Sequence, residues 1–154
     1  MGRLTHANGD IYQGQFIDGK AVGKGTLVDT NGSIYEGEWL DDMQHGKGVE
    51  KWEKGSYSYA GDFQMGKKTG FGRFECADGS FYEGEFLDGK FHNMGIFYFA
   101  ESGKTYEGSF RDNKMNGRGV MLWPDQTKYE GDFKNGKMEG HGIQQFVNGD
   151  RYVG

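Results

Sequence analysis

The feature that most limits what this chain can fold into is a repeat of about 23 residues. Aligned on a tyrosine, one register returns at Tyr12, Tyr35, Tyr59, Tyr82, Tyr106, Tyr129 and Tyr152, at intervals of 23 or 24 residues. Such a period predicts an array in which each unit buries its apolar face against its neighbours. One continuous array over 1–154 is expected: a half repeat at 1–11, full repeats at 12–34, 35–58, 59–81, 82–105, 106–128 and 129–151, and the start of a seventh at 152–154. Neither end reads as a cap, so the expectation is a piece of a longer array.

Composition narrows the class. Aromatics reach 16% of residues although apolar content is only 34%, which argues against disorder. Glycine numbers 29 against one proline, without the every-third spacing of collagen. No run approaches the ~18 apolar residues of a membrane-spanning helix. A net charge of −5 disfavours nonspecific nucleic-acid binding. One cysteine, Cys76, cannot form an intrachain disulfide and fits a reducing, cytoplasmic setting.

Each repeat has two halves. The first reads aromatic-x-Gly-x-aromatic: Tyr12-Gly14-Phe16, Tyr35-Gly37-Trp39, Tyr59-Gly61-Phe63, Tyr82-Gly84-Phe86, Tyr106-Gly108-Phe110 and Tyr129-Gly131-Phe133. Period two places these residues on one face of a strand and an acidic row, including Glu36, Glu38, Glu83 and Glu85, on the other. Periodic acids of this kind read as a solvated face. A turn follows at Gly19, Asp42, Gly66, Gly89, Asn113 or Gly136, residue types that tolerate positive φ. The second half opens on a second glycine motif ending at Gly25, Gly48, Gly72, Gly95, Gly119 and Gly142, with Asn93 replacing the first glycine in the fourth repeat. Its alternation is less clean, as a bulge would make it. Asn8-Gly9, Asn31-Gly32, Lys54-Gly55, Asp78-Gly79, Ser102-Gly103 and Asn148-Gly149 close the repeats as turns. Asp125-Gln126, after Pro124, is expected to turn differently. The predicted fold is all-β: an elongated, twisted single antiparallel sheet of consecutive β-hairpins from about Gly2 to Phe146.

Glycine within a strand costs roughly 0.5–1 kcal/mol against alanine, so each must enable a contact. The expected contact is an aromatic ring from an adjacent strand lying over bare glycine backbone, from one hairpin to the next. A large ring buries about 150–250 Å², which outweighs that cost at ~25 cal/mol per Å².

The motif Tyr-Glu-Gly-Glu-Phe/Trp, the acidic-Gly-Lys turn, Gly-x-Gly and Asp/Asn-Gly together resemble the MORN repeat (membrane occupation and recognition nexus). Residues 82–95 come nearest to a consensus copy. The resemblance implies one hairpin per repeat and a structural, non-enzymatic role. It is closest to the all-MORN cytoskeletal scaffold proteins of protists, which are cytoplasmic, associate with cytoskeleton or membrane, and often dimerise.

Candidate sites follow from that reading. No Cys-His or Ser-His-Asp spacing supports catalysis, and no cofactor or metal is expected. Cys76 reads as a small core residue in the place of Trp52, Phe99 and Trp123. His45 and His92 share one repeat position and would ligate metal only across chains. The aromatic-lined trough would seat another protein. Phe146, Val147, Tyr152 and Val153 are candidate contacts for a homodimer through a terminal repeat. As an alternative, Lys20, Lys67, Lys90, Lys114 and Lys137 form one row that would meet anionic or phosphoinositide lipid.

Overall fold

The computed structural model describes residues 1–52 and 56–154, so the expected Lys54-Gly55 turn lies outside the described residues. The chain forms two compact units, Met1–Ala77 and Asp78–Gly154. The first contains β1 (Gly2–Thr5), β2 (Ile11–Ile17), β3 (Lys20–Val28), β4 (Ile34–Leu40), β5 (Met43–Trp52), β6 (Tyr57–Gln64) and β7 (Lys67–Glu75). The second contains β8 (Phe81–Leu87), β9 (Lys90–Tyr98), β10 (Thr105–Arg111), β11 (Lys114–Leu122), β12 (Lys128–Lys134), β13 (Lys137–Gln145) and β14 (Arg151–Val153). Within each unit every strand pairs antiparallel with the next in the chain. The architecture is all-β, built from consecutive hairpins of about 23 residues. Pairing continues past Phe146, because β14 adds to β13.

The turn inside each repeat is two residues long with both residues left-handed, for example Asp88 and Gly89 at φ 49 and 81. That is the type I′ geometry whose twist matches the flanking strands. The sequence signals only the second residue; the first is Asp, Asn or, at Met65, a residue with no preference for φ 50.

The turn between repeats is held by a side chain. At Asn31-Gly32, the Asp29 N–H donates to Ser33 O (2.8 Å), Gly32 N–H to Asp29 O (3.0 Å), and Ser33 N–H to Asn31 Oδ1 (2.9 Å). Asp125-Gln126 makes the same bonds, contrary to the sequence expectation. Trp123 N–H donates to Thr127 O, Gln126 N–H to Trp123 O, and Thr127 N–H to Asp125 Oδ1, each at 2.9 Å. Pro124 suits the first central position of such a turn, and Gln126 adopts φ 73 where the other repeats have glycine.

The second strand of each hairpin is bulged. Gly14 faces Gly25 and Phe16 faces Ala21, so one residue of β2 spans three of β3. The extra length is absorbed at Gly23, φ 65, and at the same place in other repeats by Gly46, Gly70, Gly117 and Gly140. Asn93 reaches φ 60 there, so the fourth repeat departs in sequence while keeping the conformation. This bulge is what blurs the alternation of the second strand.

Candidate functional site

The floor of the candidate site is a ladder of rings. Tyr35, Tyr59, Tyr82 and Tyr106 are 0–2% exposed, and Tyr12, Trp39, Phe63, Phe86, Phe110, Tyr129 and Phe133 are also buried; Phe16 is half-buried. Each tyrosine hydroxyl donates to the carbonyl three residues on, as in Tyr35 to Glu38 O and Tyr82 to Glu85 O, both 2.7 Å. Burial pushes the Tyr35 and Tyr106 hydroxyls up to about 12, since the phenolate would lose its water.

The glycines make this packing possible. A Cβ on Gly25 would overlap the Tyr12 ring, and one on Gly95 would overlap that of Tyr82. Gly14 and Gly25 face each other across the ladder, and a Cβ on Gly14 would stand 2.5 Å from Gly25 Cα. The ring-over-glycine contact is therefore made inside one hairpin and not, as the sequence predicts, from one hairpin to the next. Contact from one hairpin to the next is ring on ring. Tyr12 meets Phe16 edge-on at 5.0 Å and Trp39 of the following repeat at 5.1 Å. Tyr82 meets Phe86 and Phe110 in the same way, at 5.1 and 4.9 Å. Trp39 also donates its indole N–H to Gly25 O at 3.0 Å.

Over this floor lie side chains from the bulged strands, and they differ between units. In the second unit they are apolar except for half-buried Gln144 opposite Tyr129. Phe91 stacks on Tyr82 (4.0 Å, 10°), and Phe91, Phe97, Phe99, Met115 and Trp123 are half-buried. In the first unit a polar group interrupts them. Lys68 Nζ lies 3.2 Å from Glu50 Oε1 and 4.6 Å from the Trp52 ring centroid, and Gln44 Nε2 donates to Glu50 Oε2 at 3.2 Å. Sequence reasoning missed this cluster. Its signal was that Gln44 and Lys68 stand where sister repeats carry Phe91, Met115 and Met138.

The acidic row is only partly solvated, which corrects the sequence expectation. Glu36, Glu83, Glu107 and Glu130 are exposed. The second acid of the row, where a repeat has one, instead caps the bulge, and Gln15 does the same through Oε1. Lys47 N–H donates to Glu38 Oε2 (2.6 Å), Met94 N–H to Glu85 Oε2 (3.2 Å), and His141 N–H to Asp132 Oδ2 (3.2 Å). Unpaired bulge amides need an acceptor, and an acid directly across the ladder supplies it.

The other candidates are dispersed. Lys20, Lys67, Lys90, Lys114 and Lys137 are exposed and each begins a second strand. Phe146, Val147, Tyr152 and Val153 are 40–70% exposed. Cys76 is half-buried just past β7. His45 Nδ1 is buried without a hydrogen-bond partner. Among the described residues, no three His, Cys, Asp or Glu side chains gather as around a metal, and no helix is long and apolar enough to cross a membrane.

The MORN repeat model matches residues 12–34, 35–57, 59–81, 82–104, 106–128 and 129–151. The chain belongs to the MORN-repeat family. Residues 58 and 105 fall between matches, but the extra residue of the second longer interval in this MORN array lies in the turn, where Phe99 N–H donates to Lys104 O across six residues against five from Asp29 to Ser33. MORN repeats are structural and non-catalytic. No curated protein sequence matches the chain. Among solved structures, the fold is similar to the SAS-4 (dCPAP) TCP domain of Drosophila melanogaster, solved in complex with a proline-rich motif of Ana2 (dSTIL). The TM-score is 0.59 at 12% identity, over 99% of this chain and 88% of that one. The G-box domain of the microcephaly protein CPAP gives a TM-score of 0.43 at 13% identity, over 99% and 97%.

Proposed function

We propose that this MORN array is a protein-binding scaffold that seats an extended partner segment on its aromatic face. The observation that carries the reading is the layer of half-buried Phe91, Phe97, Met115 and Trp123 over a floor already closed by the ring ladder. Aromatic-lined surfaces receive proline-rich chains because such chains lose little entropy on binding. A similar fold holds a proline-rich motif, which supports the choice of ligand. The test is titration of the protein with a proline-rich peptide while following Trp123. Micromolar binding that weakens at least ~10-fold in Phe97→Ser supports the reading; the same affinity in the wild type and the variant refutes it.

Dimerisation through Phe146, Val147, Tyr152 and Val153 is part of this proposal, supported by their exposure. A role beside cytoskeleton or membrane, as in protist scaffolds, belongs to it too. The second reading is lipid binding through the lysine row, supported by the exposure of all five lysines. It is weakened by the exposed Glu83, Glu107 and Glu130, which would repel an anionic bilayer.

A further inference from the structure

Two consecutive hairpins of the second unit carry a charge arrangement that works against their own stability. At the end of β10–β11, Arg111 stands directly opposite Lys114, and at the end of β12–β13, Lys134 stands opposite Lys137. Like charges directly across an antiparallel ladder are destabilising. The other hairpins avoid this by pairing Ile17 with Lys20, Leu40 with Met43, Gln64 with Lys67 and Leu87 with Lys90. All four doubled cations are exposed, and among the described residues none of them is ion-paired.

A cleft of about 720 Å³ opens between these hairpin ends, lined by Arg111, Lys114 and Lys134 with Asp112, Asp132 and Glu139 among them. Asp132 is already engaged by Arg118 Nη1 (3.3 Å) and by His141 N–H. Asp112 and Glu139 discriminate against a compact polyanion, whose charge would meet them at short range. Farther along the same face of β10 and β12, Glu107 and Glu130 are exposed, and they oppose a broad anionic surface. What remains is a narrow cationic strip across two hairpins. The hairpins lie two strand spacings apart, roughly 9.6 Å, which one turn of polyproline II, three residues at about 3.1 Å each, spans while returning the side chain to the same face.

We propose that the doubled cations Arg111/Lys114 and Lys134/Lys137 receive an acidic peptide segment of a partner protein in polyproline II conformation, with a carboxylate at every third residue. This surface is separate from the aromatic face, and either can fail alone. The test is fluorescence anisotropy with a labelled twelve-residue peptide carrying glutamate at every third position, against the same peptide with glutamine. The expected result is binding of the glutamate peptide alone, weakening several-fold between about 50 and 200 mM salt. Arg111→Glu with Lys134→Glu should reduce affinity at least ~10-fold, while Lys20→Glu with Lys67→Glu should leave it unchanged. Lys114→Gln with Lys137→Gln guards against misfolding as an explanation, because it should weaken binding while raising Tm. Equal binding of both peptides, no loss in the Arg111/Lys134 variant, a lowered Tm with binding intact, or binding to phosphatidylserine vesicles without binding to the peptide would overturn the proposal.

Discussion

Replacing Gly95 by alanine tests the logic of the whole array at one atom. Gly95 does not have a left-handed backbone, so conformation alone would allow alanine and even favour it by about 0.5–1 kcal/mol. Space forbids it. The new methyl would overlap Cε2, Cζ and Oη of Tyr82. Overpacking of this kind costs about 1–3 kcal/mol. A displaced ring also gives up its edge contacts to Phe86 and Phe110, at about 0.5–1.5 kcal/mol each, and the hydroxyl bond to Glu85 O, at about 1 kcal/mol. The net expectation is a loss of about 2–6 kcal/mol. Gly89→Ala is the control, since it has φ 81 and no neighbour within 4 Å; it should lose only about 1–2 kcal/mol, from backbone strain. Urea denaturation followed by fluorescence and circular dichroism measures both. Tyr82→Phe added to Gly95→Ala should recover part of the loss by removing the overlapping Oη. If Gly95→Ala proves no more harmful than Gly89→Ala, rings over bare backbone do not hold this sheet together.

Three further outcomes are expected. Because burial raises Tyr35 and Tyr106 to about 12, stability should be full below pH 10 and fall as pH rises toward 12. The unfolded tyrosines ionise first, and the slope approaches about 1.4 kcal/mol per pH unit for each; equal urea midpoints at pH 9 and pH 11 would contradict this. Glu38→Ala should cost about 1–3 kcal/mol by leaving the Lys47 bulge amide without its acceptor, whereas the exposed Glu36→Ala should change stability by less than ~0.5 kcal/mol; similar losses for both would refute the capping role. Met65→Asn should raise Tm, because asparagine tolerates φ 50 at the first position of a type I′ turn; a lowered Tm would count against it.

Periodicity made the fold legible. Tyr12, Gly14 and Phe16 announce a strand, its inner face and its packing at once, and six copies leave little room for another reading. The bulge was visible only as noise, because two extra residues hidden behind a positive φ at Gly23 shift the faces without altering composition. The capping role of Glu38, Glu85 and Asp132 depends on that bulge, so it could not be read before the bulge was placed. Gln126 escaped for a different reason: its turn is held by the Asp125 side chain and by backbone bonds, including the Gln126 N–H to Trp123 O, so nothing about the glutamine side chain signals the turn. The doubled cations lie in adjacent stretches of sequence, but their opposition depends on register, which Asp112-Asn113 and Asn135-Gly136 set.

The ring ladder also bears on how such proteins change length over generations. Within the second unit a tyrosine touches a ring of its own repeat and one of the next, as Tyr82 touches Phe86 and Phe110 and Tyr106 touches Phe110 and Phe133. No rung is chemically singular. Were residues 106–128 lost as a block, Phe133 would arrive where Phe110 had been and Tyr82 would find an equivalent ring. A gene assembled this way can gain or shed whole copies and heal the seam each time, while the side chains above the ladder diverge freely to suit whatever they hold.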